Sequence, residues 1–297
     1  MAQKIEILKI SETKFLDNTE IQVESSDKTT LSVWWLGQAG FYFKYRKYSF
    51  LIDPYLSDSL AIKYKGREFP HLRMMPPPVD PEQIRRLDFV FCTHGHSDHM
   101  DPGTLPVLSK NNPQCKFIVP KAEKAKAIKR GISENQIIEV NAGESFELDS
   151  NIKFDILPSA HEELKMNEKS EYLYLGYVIS IAPFTIYHSG DCIPYTGLSE
   201  RLKKFNIDLA LLPVNGRDTD RSKKGIPGNF TFDEAISLCV ESNIPNLIVH
   251  HFGMFFFNTI DEDSLLQKIR QTDNEILNII MPETSYRYDM ISKYTEH

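Results

Sequence analysis

Along most of this chain apolar residues come in short runs rich in Val, Ile, Leu and aromatic side chains, each closed by a polar or turn-forming residue. Runs of that length and composition predict β-strands. They fall at residues 31–44, 49–52, 88–93, 116–119, 153–157, 172–181, 185–187, 209–213 and 247–249. Helical spacing appears between and after them. Asp80-Pro81 supplies an N-cap and a first-turn proline for a helix over 82–86. Thr231 and Glu234 form a capping box ahead of a helix over 235–241, and 264–270 is spaced as a short amphipathic helix. Over 121–130, Ala122, Ala125, Ala127 and Ile128 interrupt a run of lysines, which predicts a helix with a solvated basic face, stopped by Gly131. Met74-Met75-Pro76-Pro77-Pro78 predicts an extended, rigid connection; the mouth of a site is its alternative place.

Strands interleaved with helices call for sheets covered by helices, in a four-layer sandwich or a doubly wound sheet. No repeat or flexible linker divides the chain, so one domain over residues 1–297 is expected, with 1–30 as an extension packed on it. At 297 residues and 41% hydrophobic it can bury a sizeable core. Lys plus Arg number 34 against 41 Asp plus Glu, a net charge of −7. That balance argues against nucleic acid as a partner, because neutralising phosphates needs clustered cations. The N-terminus lacks the apolar stretch of a signal peptide, and no run is long enough to cross a bilayer, so a cytoplasmic location without membrane contact is expected. Cys92, Cys115, Cys192 and Cys239 are dispersed and read as buried thiols; Cys192, beside Asp191, is the one placed to compete for a metal.

The densest chemistry is His94-Gly95-His96-Ser97-Asp98-His99, which puts four metal-ligating side chains in one turn after the run at 88–93. Imidazole with carboxylate suits Zn, Mn or Fe, and one ion cannot easily take all four. His94 and His96 are two apart and point the same way, whereas Asp98 and His99 can face a second ion. Other donors also sit where apolar runs stop: His161, Asp191, and the pair His250 and His251. Several strand ends can therefore converge on one sheet edge. Of the nine histidines, His71 and His297 have no obvious place there.

Thr93-His94-Gly95-His96-Ser97-Asp98-His99, then His161, then Ser189-Gly190-Asp191, then His251, resembles the ordered motifs of the metallo-β-lactamase superfamily, from about Leu31 to the last helix. Val33-Trp34-Trp35-Leu36-Gly37, Tyr187-His188-Ser189-Gly190-Asp191 and Asn215-Gly216-Arg217-Asp218 are most similar to its L-ascorbate-6-phosphate lactonase-like branch. That lactonase has no counterpart to His161, a departure from its pattern. The resemblance implies a four-layer αββα sandwich in the α/β (α+β) class with two divalent ions at one edge. It implies His94, His96 and His161 on one ion, Asp98, His99 and His251 on the other, and Asp191 bridging. His251 is preferred to His250 because His251-Phe252-Gly253-Met254-Phe255 matches the branch better; His250 would then orient a ligand, as Asp53 would brace the histidine loop. Asp98 is the expected general base, and His188 the expected donor to the leaving group or a support for its loop. Arg217, with Asn215, is expected to bind an anionic group of the substrate.

The expected function is a metal-dependent hydrolase acting on a small anionic molecule such as a sugar-phosphate lactone, assembled as a homo-oligomer if it associates. The alternatives are a phosphodiesterase or ribonuclease of the same superfamily, or a metal-binding protein without turnover.

Overall fold

The computed structural model describes residues 3–11, 30–149, 152–272 and 276–294. In chain order the first strands are β1 (Gln3–Ser11), β2 (Thr30–Gly37), β3 (Gly40–Tyr45), β4 (Tyr48–Ile52), β5 (Phe89–Phe91), β6 (Lys116–Pro120) and β7 (Ile137–Val140). They continue as β8 (Ser145–Asp149), β9 (Ile152–Pro158), β10 (Leu175–Ile181), β11 (Phe184–His188), β12 (Leu209–Pro213), β13 (Asn246–His250), β14 (Asn278–Ile280) and β15 (Tyr286–Tyr294). The helices are α1 (Ser59–Lys63), α2 (Leu105–Asn111), α3 (Lys124–Lys129), α4 (Leu198–Leu202), α5 (Thr219–Lys223), α6 (Phe232–Glu241) and α7 (Glu262–Gln271).

Two mixed sheets result, ordered β1-β15-β2-β3-β4-β5-β6-β7 and β14-β13-β12-β11-β10-β9-β8. Alternation along the strands decides what faces what. Val33 and Trp35 of β2, Phe41 and Phe43 of β3, and Phe50 and Ile52 of β4 join Phe154, Tyr177 and Ile186 in the core between the sheets. The intervening Trp34, Leu36, Tyr42 and Leu51 form a second core with Leu105 and Leu108 of α2 and Ala127 of α3. On the other side α6 lays Ala235, Leu238 and Cys239 against the second sheet. The fold is the mixed α/β sandwich of two sheets with helices outside.

Several expected elements change in detail. The segment 31–44 is a hairpin rather than one strand, because Gly37 (φ +89°) and Gln38 (φ +52°) turn the chain. Asp80 does cap Glu82, but the element is one 3-10 turn, Pro81–Gln83, after which Ile84 is already extended. The capping box of Thr231 and Glu234 forms as expected. Of the expected extension, residues 3–11 pair with β15; residues 12–29 lie outside those described, as does His297.

Strand polarity places the site. β4 and β5 run parallel, and β9, β11 and β13 share one direction in the other sheet. Asp53, the 93–99 loop, His161, Asp191 and His251 all follow the C-terminal ends of these strands, the edge where open α/β sheets bind ligands.

Candidate metal centre

The loop after β5 is held from below by Asp53, which is fully buried. Its Oδ1 accepts the Thr93 backbone N–H at 2.7 Å, and its Oδ2 accepts the Thr93 hydroxyl at 2.5 Å and His99 Nδ1–H at 2.6 Å. Because Thr93 gives its one hydroxyl proton to Asp53, its oxygen accepts from His94 Nδ1–H at 3.0 Å. Both histidines are thereby turned so that Nε2 is the nitrogen left for the centre. Arg130, at the C-cap of α3, braces the same loop by donating to the carbonyls of His96 and Met100 and to Ser97 Oγ. The basic segment at 121–130 is therefore more than a solvated face: Lys126 and Arg130 both line the site's cavity.

Asp191 enters from β11 through Gly190, whose φ is +63°. A Cβ there would lie 2.8 Å from Thr93 Cβ and 2.9 Å from the Leu175 carbonyl oxygen, so only glycine lets the two loops approach. His251 follows β13 at φ +63°, its N–H donating to the Gln38 carbonyl at 2.9 Å. That turn separates the two adjacent imidazoles. His250 stacks on His188 in the core at 5.0 Å between ring centres, while His251 Nε2 comes within 3.3 Å of Asp191 Oδ1.

Two donor groups result, His94, His96, His161 and Asp191, and Asp98, His99 and His251, with the donor atoms of each within 4.8 Å of one another. Asp191 stands between them. Its Oδ1 is 3.3 Å from both His99 Nε2 and His251 Nε2, and its Oδ2 is 3.6 Å from His161 Nε2. His94 Nε2, His99 Nε2, His161 Nε2 and Asp191 Oδ1 are buried without a hydrogen-bond partner. Each such orphan costs about 1–3 kcal/mol, and convergent lone pairs of this kind fit divalent cations.

Protonation fits the same use. Burial pushes His94, His96 and His161 below the ordinary histidine range, so they are neutral donors at pH 7. His99 goes the other way: burial opposes its charge, but Asp191, Asp53 and Asp98 outweigh it and raise its pKa well above normal. A cation held by His99 would take the place of the Nε2 proton. Asp98 and Asp191 are held ionised below the usual carboxylate range, where burial alone would raise them, chiefly by His99 at Asp98 and by His251 and His99 at Asp191.

The neutral histidines imply a pH dependence of the metal-free protein. His161 is pushed down to about 4 from 6.5, so the unfolded chain binds its proton first as pH falls. Its contribution is fully present above pH 6.5 and is lost towards pH 4, by about 3 kcal/mol at the rate of 1.36 kcal/mol per pKa unit. His99 titrates in the opposite sense above that window. Urea unfolding of chelator-treated protein at pH 7 and pH 5 measures this, and a His161→Gln variant should show a shallower loss.

The donors open into a cavity of about 890 Å³. One part of its wall is basic, with Lys63, Arg67, Lys126, Arg130 and Lys224; another is aromatic, with Tyr64, Phe69, His71, Phe255 and Phe257. Arg217 and Asn215 are not in it. Arg217 makes a bidentate pair with Glu234, both contacts 2.6 Å, on a separate surface pocket, and Asn215 is buried against Asn258 and Asn229. His188 is not placed to reach a leaving group either. Its Nε2–H donates to the Ala39 carbonyl and its Nδ1 accepts the Gly190 N–H, so both nitrogens hold the loop. Cys92 and Cys192 are buried outside both donor groups.

Sequence reasoning passed over Gln38, although Trp35-Leu36-Gly37-Gln38 ends in it. Its amide Nε2 lies 2.8 Å from Asp98 Oδ2 and 3.0 Å from His251 Nε2, and its Oε1 is buried and unpaired. A polar residue directly after the apolar run Val33–Leu36 and Gly37 was the available signal.

The beta-lactamase superfamily domain model matches residues 48–252. Among curated relatives, the N-acyl-phosphatidylethanolamine-hydrolyzing phospholipase D 1 of Caenorhabditis elegans is 27% identical over 239 residues, covering 76% of this chain and 65% of that protein's length. A UPF0173 metal-dependent hydrolase of Saccharolobus solfataricus is 30% identical over 196 residues, covering 62% of this chain and 72% of the relative. The fold is shared with an isothiocyanate hydrolase from Delia radicum gut bacteria, at a TM-score of 0.68 and 17% identity over 86% of this chain and 97% of that one. No helix among the described residues is long and apolar enough to cross a membrane. Matched over more than half its length, this chain belongs to the metallo-β-lactamase superfamily of metal-dependent hydrolases.

Proposed function

We propose that the protein hydrolyses a small anionic ester with two divalent metal ions, Zn, Mn or Fe. His94, His96 and His161 would hold one, Asp98, His99 and His251 the other, and Asp191 both. The observation that carries this reading is the Asp191 carboxylate, whose Oδ1 faces the buried Nε2 atoms of His99 and His251 and whose Oδ2 faces the buried Nε2 of His161. Bound cations would make hydroxide available near neutral pH and stabilise charge on the reacting centre. Asp98, ionised and on the cavity wall, is placed to accept the proton of the attacking water. Gln38 orients that carboxylate through its amide N–H.

The cavity wall bears on the substrate. Lys63 and Arg67 have no ion-pair partner among the described residues, and the aromatic group beside them suits an apolar part of the same molecule. That combination favours a phosphodiester or carboxylic ester with an apolar substituent over a compact sugar-phosphate lactone. The nematode phospholipase, whose name describes cleavage of an acylated phosphodiester, points the same way. The closing test is a panel of phosphodiesters, carboxylic esters and lactones, run on metal-loaded and chelated protein with elemental analysis alongside. Hydrolysis is expected only when metal is bound. Equal rates in the two preparations would refute the metal mechanism, and bound metal with no turnover on any class would favour a binding protein.

A further inference from the structure

His71, which the sequence leaves without a role, stands on the cavity wall with His96, Asp98, Asp191 and His251. Its backbone is at φ +51°, a region histidine seldom enters, and surrounding contacts must hold it there. They do so closely. The Tyr64 ring stacks on the imidazole at 4.2 Å between centres, and Phe255 and Phe257 meet it edge-on at 5.1 and 4.7 Å. Nδ1 lies 2.6 Å from the Phe69 carbonyl oxygen. A carbonyl has no proton to give, so Nδ1 carries the hydrogen and donates it. Nε2 is then the exchangeable nitrogen, and it has no hydrogen-bond partner among the described residues. The ring is fixed in place and tautomer with its working atom unclaimed, unlike that of His188.

We propose that His71 is a catalytic residue, the acid that protonates the leaving group through Nε2. The proposal rests on the hydrolase reading above. Water adds its oxygen to the reacting carbon or phosphorus and yields a proton to Asp98. The bond to the leaving oxygen breaks, its electron pair stays on that oxygen, and the oxygen takes the proton from His71 Nε2. The ring, now neutral with Nδ1–H still on Phe69, recovers a proton from solvent, to which His71 is partly exposed. Burial lowers the His71 pKa, which makes its cation a readier donor; the hydrogen bond to the Phe69 carbonyl and then Asp98 oppose this, and Lys63 adds to it. Stacked Tyr64 is the other titratable group against the ring, and the Phe255 and Phe257 side brings no charge.

His71→Asn tests this cleanly. Asparagine tolerates positive φ and offers an N–H to the Phe69 carbonyl, yet it has no atom at Nε2. The metal-loaded protein and the variant are compared on two esters of one acid, with 4-nitrophenolate or an alkoxide as leaving group. A stabilised phenolate departs without a proton and an alkoxide does not. The variant should lose about 100-fold or more in kcat/KM on the alkyl ester, the scale of general acid catalysis, and less than about 3-fold on the nitrophenyl ester. The decline of the alkyl-ester rate as pH rises through the His71 pKa should vanish with it. His71→Phe, which keeps the aromatic packing, should behave alike, with metal content and circular dichroism unchanged in both variants. Equal losses on both esters, or none, would overturn the assignment while leaving the hydrolase reading intact. Inactivity of the wild type on both would defeat the reading itself, and the role of His71 with it. Independently, the His71 resonance in ¹⁵N-histidine spectra, assigned by its loss in His71→Asn, should show the Nδ1–H tautomer; the Nε2–H form would overturn the proposal.

Discussion

Asp191→Ala is expected to abolish turnover, by about three orders of magnitude or more, and to lower both equivalents of bound metal in the same preparation. The magnitude follows because the several kcal/mol that metal ions contribute to a hydrolytic transition state go with them, at tenfold per 1.36 kcal/mol. Position explains why one residue would affect two ions: Asp191 Oδ1 is 3.3 Å from His99 and His251, and Oδ2 is 3.6 Å from His161. Elemental analysis alongside kcat/KM checks it. Full metal content with lost activity, or the reverse, would show that Asp191 does not join the two groups. Asp191→Asn keeps the shape but not the charge, and should fall between.

The second large effect is on Asp53, which contributes no donor to either group. Asp53→Ala is expected to lower stability by about 3–5 kcal/mol, since removing one side of a buried ionic network strands the other. Metal affinity should fall about 10–100-fold, as it does when the group orienting a ligand is lost. Asp53→Asn separates these effects. An amide N–H facing His99 Nδ1 forces that proton to Nε2, the nitrogen that faces Asp191. The asparagine variant should therefore recover much of the stability but little of the metal affinity. Urea unfolding and competitive chelator titration are the measurements. Recovery of both would mean that Asp53 acts by packing alone.

The fold was legible wherever a local rule dominates. Short apolar runs at 49–52, 116–119 and 209–213 became β4, β6 and β12 with almost the expected bounds. Propensity misjudged segments where a single residue redirects the chain, as at Gln38 within 31–44 and at Ile84 after the Asp80 cap. The candidate site was legible for a related reason. Donors at strand ends stay together because parallel strands bring their C-terminal ends to one edge, so position along the chain was enough to nominate His94, His161, Asp191 and the pair His250 and His251. The substrate wall obeys no such rule. Arg217 looked suited to an anion, but Glu234, drawn close by the α6 capping box, takes its guanidinium.

The sequence by itself determined the chemistry available: which strands end in imidazole or carboxylate, which faces are apolar, and which family these motifs resemble. The first two are set by composition and short-range periodicity and the resemblance by the order of the motifs, all of which survive without knowledge of the fold. Tertiary structure alone decided which nitrogen each histidine presents and that His71 stands on the cavity wall. Each of these depends on a backbone turn at positive φ or on a hydrogen bond between residues far apart in the chain, such as Asp53 with His99. Such partners meet only when loops from two sheets pack together, so no local pattern announces them.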